Sequence, residues 1–181
     1  MVKIELALQH FGLPDNAGRL IEDCKDAGDE IGARPVGRGD IPQFEPADGR
    51  VCWHVLNAVT QQIFHGRPPV FCEWGSGLGL IAMLASLSGM RSTGIEIEEE
   101  LFDLAREFSQ QHGIPATFIN GSIYPADNPA PLIDYKNIDL FFAYPWPNQI
   151  AQMTDLFSQV AASGSVLVFY HGGPNCRVLK L

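Results

Sequence analysis

The sequence has no apolar run as long as the roughly 20 residues that a membrane-spanning helix requires. Its first residues, Met1 to Glu5, also lack the basic and then apolar layout of a secretory signal peptide. We therefore expect a cytoplasmic protein with no membrane partner. Apolar residues make up 46% of the chain, and its 181 residues are enough to bury one core.

The usual signatures of metal sites and disulfide frameworks are also missing. The four cysteines, Cys24, Cys52, Cys72 and Cys176, form no Cys-x-x-Cys pair, and the five histidines are scattered without metal-ligand spacing. Cys72 also lies within an apolar run that is typical of a strand. We therefore predict no metal site, and we interpret the cysteines as small buried hydrophobes or free thiols.

Positive charge is scarce as well. The chain carries 12 Lys and Arg against 21 Asp and Glu, for a formal net charge of -9. Proteins that bind nucleic acids usually present a basic patch to the phosphates. The charge balance therefore disfavours a nucleic-acid partner, although a local basic patch can coexist with a negative total.

The patterning changes near residue 69. Before it, apolar residues at helical spacing predict an amphipathic helix over 16–31. A stretch rich in Gly, Arg and Pro over 32–42 then predicts a linker loop. We predict an N-terminal helical extension over 1–45 and a main domain over 46–181.

A second helix is predicted just before the pattern changes. Apolar residues keep helical spacing from 51 to 63, and Asp48 is placed to cap the first turn. Gly66 and Pro68 then predict the end of this helix, because glycine suits the left-handed position after a helix and proline cannot continue one.

From Pro69 onward strands and helices alternate, which predicts an α/β fold with a doubly wound, mainly parallel sheet. The predicted strands are 70–74, 92–97, 115–120, 138–143 and 165–170, and the predicted helices are 78–90, 99–112 and 148–162. Only a short segment, 176–181, remains for a further strand, so the C-terminal end is shortened and one sheet edge would stay open. We expect the N-terminal layer or a second copy of the chain, in a homodimer, to cover that edge.

The most informative segment is 70–79, Val-Phe-Cys-Glu-Trp-Gly-Ser-Gly-Leu-Gly. It reads as an apolar strand that ends at Glu73, followed by glycines at every second position. Glycine allows backbone angles and close approaches that a Cβ would forbid, so a ligand can lie against this turn. A second acidic strand end, Glu96, follows one strand–helix unit later. The segment therefore predicts a cofactor-binding turn beside two carboxylates.

The residues around the turn discriminate between cofactors. The dinucleotide fingerprint requires a third glycine where this chain has Leu80. Glu73 would repel a pyrophosphate but suits an ammonium group, and Glu96 suits the hydroxyls of a ribose. S-adenosylmethionine has an amino-acid end and a ribose but no phosphate, so it satisfies all three observations.

At these residues the chain resembles the class I S-adenosylmethionine-dependent methyltransferases. Their first motif, Glu/Asp-x-Gly-x-Gly-x-Gly, is matched by 73–79, their acidic ribose ligand by Glu96, and their adenine-contacting segment by 120–123. The resemblance spans about 70–170 and implies the fold, cofactor and activity of that family. It implies cofactor contacts from Glu73, Gly75, Ser76, Gly77, Gly79, Glu96, Ile97, Ser122 and Ile123. The alternative is another Rossmann-like protein in which the glycine turn serves only geometry.

The loop after the fourth predicted strand, 143–147, reads Ala-Tyr-Pro-Trp-Pro. Ligands of open α/β sheets bind at the carboxyl ends of the strands, so Tyr144 and Trp146 are candidate walls of an acceptor site, where their rings could contact an amine. The loop stands where base-methylating relatives carry Asp/Asn-Pro-Pro-Tyr, but Tyr144 replaces the first residue and Trp146 interrupts the prolines. Base methylation is therefore disfavoured. The alternative is an aromatic loop that packs over the core.

Candidate catalytic groups are fewer. His171 follows the fifth predicted strand in a glycine-rich loop, and a histidine there is a candidate base because imidazole exchanges protons near neutral pH. The alternative is a structural or merely exposed histidine. Tyr144 is the second candidate, whereas Asp139 either orients a catalytic group or starts a strand at the sheet rim. The segment 44–48 looks similar to one in methyltransferases related to the Dot1 and mitochondrial-type lysine enzymes, in which the helix before the first motif closes over the methionine end of the cofactor. The alternative is that Asp48 only caps that helix.

We predict an S-adenosylmethionine-dependent methyltransferase that acts on a small molecule or a protein side chain. One alternative is a non-catalytic module that binds the cofactor or assists assembly, which would bind cofactor and product without turnover. A nucleotide-dependent oxidoreductase is disfavoured by Glu73 and Leu80.

Overall fold

A computed structural model describes residues 1–33, 45–128 and 133–181. The strands are β1 (Val2–Ile4), β2 (Val70–Trp74), β3 (Arg91–Glu96), β4 (Thr117–Asn120), β5 (Leu140–Ala143), β6 (Val166–Tyr170) and β7 (Cys176–Lys180). The α-helices are α1 (Asp15–Gly32), α2 (Gly49–Gln62), α3 (Leu80–Leu87), α4 (Glu99–His112) and α5 (Ile150–Val160). Most of the predicted linker over 32–42, and Phe44 of the segment 44–48, lie outside the described residues.

The described strands form one 7-stranded sheet in the order β1-β7-β6-β5-β2-β3-β4. Five neighbouring strands run parallel to one another: β6, β5, β2, β3 and β4. Strand β7 is antiparallel to β6, and β1 is antiparallel to β7. Successive side chains enter opposite faces: Phe71 and Phe142 lie in one buried cluster with α1, α2 and α3, and Cys72 and Phe141 in another with α5. The predicted doubly wound α/β fold is confirmed.

The open sheet edge is closed by the N-terminal segment. Strand β7 pairs with β6, and β1 pairs with β7 through the register Val2 to Lys180 and Ile4 to Val178. Of the two covers that the sequence predicts, the N-terminal one is therefore present. The strand itself was missed, because three residues are too few for their alternation to indicate a strand, and its burial runs only from exposed to half-buried.

The chain between β1 and α1 is tied along α2. The backbone amide of Ala7 donates to Oε1 of Gln62 at 3.1 Å, and Nε2 of Gln62 donates back to the Ala7 carbonyl at 2.6 Å. Further along, the Phe11 amide donates to Nδ1 of His54 at 3.2 Å. These contacts join the first residues of the chain to the helix that precedes β2.

Element boundaries differ from the sequence prediction by a few residues. The helix predicted at 78–90 spans Leu80–Leu87, because Gly79 adopts a left-handed φ of 75° at its N-cap. The strand predicted at 138–143 begins at Leu140. Before it, Oδ2 of Asp139 accepts a hydrogen bond from the Val70 amide at 2.9 Å, which is the strand-start alternative for Asp139.

The capping role predicted for Asp48 is confirmed. Its Oδ1 accepts hydrogen bonds from the amides of Arg50 at 2.9 Å and Val51 at 3.1 Å. We expect Asp48→Ala to lower the free energy of unfolding by about 1 kcal/mol, because first-turn amides lose their acceptor. Urea denaturation monitored by circular dichroism measures this loss. Asp48→Asn keeps a side-chain oxygen and should lose less, so an equal loss in both variants would contradict the capping argument.

Other sequence predictions concern the cysteines, membranes and metals. The four cysteines are free thiols: Cys24, Cys52 and Cys72 are buried, and Cys176 is half-buried, as interpreted from the sequence. None of the described helices combines the length and apolarity needed to cross a membrane. Among the described residues, no group of three or more His, Cys, Asp or Glu side chains is placed to hold a metal ion.

Candidate active site

A cavity of about 620 Å³ lies where β2, β3 and β5 end. Its volume is within the roughly 300–1,000 Å³ of small-molecule sites, and its place at the carboxyl ends of parallel strands is usual for such sites. Of the residues predicted from the sequence, the cavity lining includes Glu73, Gly75, Ser76, Gly77, Glu96, Ile97, Tyr144, Trp146 and His171. Gly79, Ser122 and Ile123 are not among its described lining residues.

The glycine turn after β2 needs left-handed backbone angles. Gly75 has a φ of 69° and Gly77 a φ of 52°, backbone angles that residues other than glycine rarely adopt. The Gly75 amide donates to the Ile95 carbonyl at 2.9 Å, which anchors the turn to β3. A Cβ built on Gly75 meets nothing within 4 Å, so this residue presents bare backbone to open space at the cavity.

Other glycines serve packing beneath the turn. A Cβ on Gly79 would lie 2.5 Å from the Phe118 ring and 2.9 Å from Cβ of Ala105. A Cβ on Gly94, inside β3, would lie 2.8 Å from the Ser76 side chain. The sequence analysis assigned no role to Gly94, although a glycine within a strand often marks a close backbone approach.

Glu96 joins the turn to the loop after β3. Its side chain is buried, at 6% exposure. Oε2 accepts the Gly77 amide at 2.7 Å, and Oε1 accepts the Glu98 amide at 3.0 Å. A carboxylate has about four lone-pair positions, so both oxygens can accept further hydrogen bonds from a ligand in the cavity.

Glu73 is buried beside the start of α3. It is 5% exposed, and its Oε2 accepts the Ala82 amide at 2.8 Å. Burial raises the pKa of Glu73 well above its ordinary value of 4.5, and the negative charge of Glu96 raises it further, against the opposing effect of the Ala82 hydrogen bond. A cation bound beside Glu73 would reverse this shift by stabilising the carboxylate.

The aromatic loop after β5 forms another wall. The Tyr144 ring packs edge-on against Tyr170 with centroids 5.0 Å apart, and Trp146 remains 43% exposed. Burial, followed by the charge of the nearby Glu45 carboxylate and hydrogen bonding to it, raises the pKa of Tyr144. Glu45 also lines the cavity. It was missed from the sequence because nothing local connects it to a residue nearly one hundred positions away.

His171 lies at the same cavity with an exposed side chain. Its backbone amide donates to the Asn175 carbonyl at 2.9 Å, so the loop after β6 is closed, and its ring lies 6.3 Å from that of Phe169. The structure therefore brings both catalytic candidates, His171 and Tyr144, to one cavity with the glycine turn.

The residues predicted to contact adenine form hydrogen bonds with other residues of the chain. Ser122 Oγ donates to Oδ2 of Asp127 at 2.8 Å and accepts the Tyr124 amide at 3.1 Å. Ile123 is buried, and its carbonyl accepts from the Tyr135 hydroxyl at 2.8 Å. An adenine contact through Ser122 or Ile123 stays a prediction.

Comparison with known proteins identifies the fold. No protein-family model matches the chain, and no curated protein matches its sequence. An RNA methyltransferase from Salinibacter ruber, solved with S-adenosyl-L-homocysteine, is similar at 19% identity and a TM-score of 0.55, over 68% of this chain and 86% of that one. A methyltransferase from Podospora anserina with the same ligand has 15% identity and a TM-score of 0.60, over 88% of this chain and 63% of that one.

A hypothetical protein from Thermus thermophilus has 15% identity and a TM-score of 0.60, over 83% of this chain and 95% of that one. Since every one of these identities is low, the likeness concerns the fold, and function has to be argued from the site. The chain has the Rossmann-like fold of the class I methyltransferases.

Proposed function

We propose that the protein is an S-adenosylmethionine-dependent methyltransferase whose acceptor is a small molecule or a protein side chain. One observation carries the proposal: Glu73 and Glu96, at the ends of adjacent strands, line a cavity to which Gly75 presents bare backbone. Carboxylates accept hydrogen bonds from an ammonium group and from ribose hydroxyls, whereas they repel phosphates. Similar structures that hold S-adenosyl-L-homocysteine support the same ligand class.

The proposed roles follow from these positions. Glu73 and the glycine turn at 75–79 hold the methionine end of the cofactor, and Glu96 holds the ribose. Ile97 is 64% exposed at the cavity and offers an apolar contact. In the proposal Ser122 and Ile123 lie beside the adenine.

The acceptor occupies the remaining part of the cavity. When bound, S-adenosylmethionine supplies a methyl group on a positively charged sulfur; the acceptor lone pair forms the new bond, and the electrons of the broken bond stay on sulfur. Tyr144 and Trp146 orient the acceptor, since alignment and exclusion of water are the main contributions of the protein. His171 takes a proton from an acceptor that must lose one.

The raised pKa of Glu73 predicts that cofactor binding depends on pH. Because its pKa is raised, the free protein keeps a proton on Glu73 in a window that begins near 4.5 and extends upward. A cationic ligand favours the carboxylate, so binding releases a proton, and affinity rises with pH in this window by up to about tenfold per pH unit. Calorimetry from about pH 5 to pH 7, below the titration of the ligand's own amino group, measures this in buffers of different ionisation enthalpy.

The same raised pKa acts on folding with the opposite sign. The unfolded chain loses the Glu73 proton at lower pH than the folded chain does, so the free energy of unfolding falls as pH rises through the window. Glu73→Gln should flatten both profiles. An unchanged proton release in Glu73→Gln would contradict the assignment.

Calorimetric titration tests the proposed function directly. We expect micromolar binding of S-adenosylmethionine and S-adenosylhomocysteine, and no binding of NADH, to the purified protein. Binding of NADH alone would contradict the proposal and favour an oxidoreductase. Binding of both sulfur ligands without methylation of any acceptor would favour the non-catalytic module instead.

A further inference from the structure

In the part of the cavity lining that the structure describes, acidic side chains outnumber basic ones four to one. Its carboxylates come from Glu45, Glu73, Glu96 and Glu98, and the described lining contains no lysine or arginine. His171 is the basic side chain in the described lining. Because like charges repel, these carboxylates disfavour an acceptor that carries a carboxylate or a phosphate of its own.

The carboxylates have different surroundings. Glu73 and Glu96 are buried and accept hydrogen bonds from backbone amides at the glycine turn and its neighbours. Glu45 is instead exposed, and it lies beside the hydroxyl of Tyr144, on the aromatic side of the cavity. With the cofactor seated on the turn between Glu73 and Glu96, two lining carboxylates remain, those of Glu45 and Glu98. Glu45 is the one beside the aromatic loop, so it is the carboxylate that we assign to the acceptor.

Aromatic faces complete this end of the cavity. Tyr144 is fixed by its edge-on contact with Tyr170, whereas Trp146 stays largely accessible. Aromatic rings attract ammonium groups through their quadrupoles, by about 0.5–1 kcal/mol at exposed positions and more when desolvated. A carboxylate beside aromatic rings therefore favours a cationic group over a neutral group of the same size.

We propose that the methyl acceptor presents an alkylamine, bound in its protonated form by Glu45 between Tyr144 and Trp146. The inference rests on the proposed function and narrows its acceptor class. An ammonium nitrogen has no lone pair, so its proton must leave before transfer. That proton passes to His171 or to water at the open end of the cavity. The freed nitrogen lone pair would then form the N–C bond while the bond between sulfur and the methyl group breaks and leaves its electron pair on sulfur.

The test uses binding rather than activity, in protein saturated with S-adenosylhomocysteine. Butylammonium, butanol and butyrate are titrated at neutral pH while the fluorescence of Trp146 is followed, with Trp146→Phe to identify the signal. We expect butylammonium to bind at least about tenfold more tightly than butanol and butyrate not to bind. Glu45→Gln keeps the shape and the acceptor for Tyr144 but removes the charge, and should reduce the preference to less than about threefold.

Glu107→Gln is the matched control, because Glu107 is exposed on α4 outside the cavity lining. It should keep the full preference for butylammonium, and both variants should keep the wild-type affinity for S-adenosylhomocysteine. Equal binding of butanol and butylammonium, or a preference that survives Glu45→Gln, would overturn the amine proposal while leaving the proposed function in place. A protein that does not bind S-adenosylhomocysteine would instead refute the proposed function, and the amine proposal with it.

Discussion

Replacing Glu96 with alanine should lower the affinity for S-adenosylhomocysteine by about 100-fold or more. In the free protein this carboxylate accepts the Gly77 amide at 2.7 Å and the Glu98 amide at 3.0 Å. Alanine removes the proposed ribose ligand and also the acceptor that holds the glycine turn against β3. Hydrogen bonds to a charged group contribute about 1.5–3 kcal/mol each, so the loss of two ligand contacts accounts for a change of this size.

Calorimetric titration measures the Glu96→Ala effect, and thermal unfolding of the same samples shows whether the fold persists. Glu99→Ala is the control, because Glu99 is exposed in the first turn of α4. It should bind S-adenosylhomocysteine like the wild type. If Glu96→Ala remains folded and binds within threefold of the wild type, the carboxylate does not hold the ligand.

Gly79→Ala should produce the largest loss of stability, a fall of about 3–5 kcal/mol in the free energy of unfolding. The new Cβ would lie 2.5 Å from the Phe118 ring and 2.9 Å from Ala105, both within the packed layer between α4 and the sheet. The left-handed φ of 75° adds backbone strain that glycine avoids. The half-buried Phe118 ring can move aside, but the contact with Cβ of Ala105 is relieved only if α4 or the turn shifts, so strain and packing should combine.

Other glycines separate these two causes. Gly113 has a φ of 61° but open space around its Cβ position, so Gly113→Ala should lose about 1–2 kcal/mol through strain alone. Gly75→Ala should lose a similar amount of stability, but its methyl group would project into the cavity and weaken S-adenosylhomocysteine binding. Urea denaturation provides the comparison; equal losses in Gly79→Ala and Gly113→Ala would contradict the packing argument.

Local signals in the sequence account for most of the fold. Helix and strand periodicity predicted the five helices and five of the strands, because burial of one face imposes a period on the chain itself. Asp48 was recognised as a cap because its side chain bonds to amides two and three positions away. The observed start of β5 differs from the predicted one, because Asp139, just before that strand, binds the Val70 amide of the neighbouring strand β2 through its side chain.

The glycine turn and its carboxylates were also predictable, because they are consequences of local chemistry. Gly75 and Gly77 need backbone angles that only glycine adopts readily, and the acidic residues end adjacent strands. These features were enough to select a ligand with an ammonium group and hydroxyls over a dinucleotide. The roles of Ser122 and Ile123 in binding that ligand stay predictions.

Contacts between distant segments were decided by the tertiary structure alone. Strand β1 pairs with β7 although the two lie at opposite ends of the sequence. Glu45 meets Tyr144 only because the segment before α2 and the loop after β5 lie at the same cavity. Gly94 is required because Ser76 packs on it from another strand end. Hydrophobic periodicity, helix capping and glycine backbone angles depend on interactions within a few residues, so they can be recognised from the sequence. The pairings between distant segments depend instead on which surfaces the folded sheet brings together.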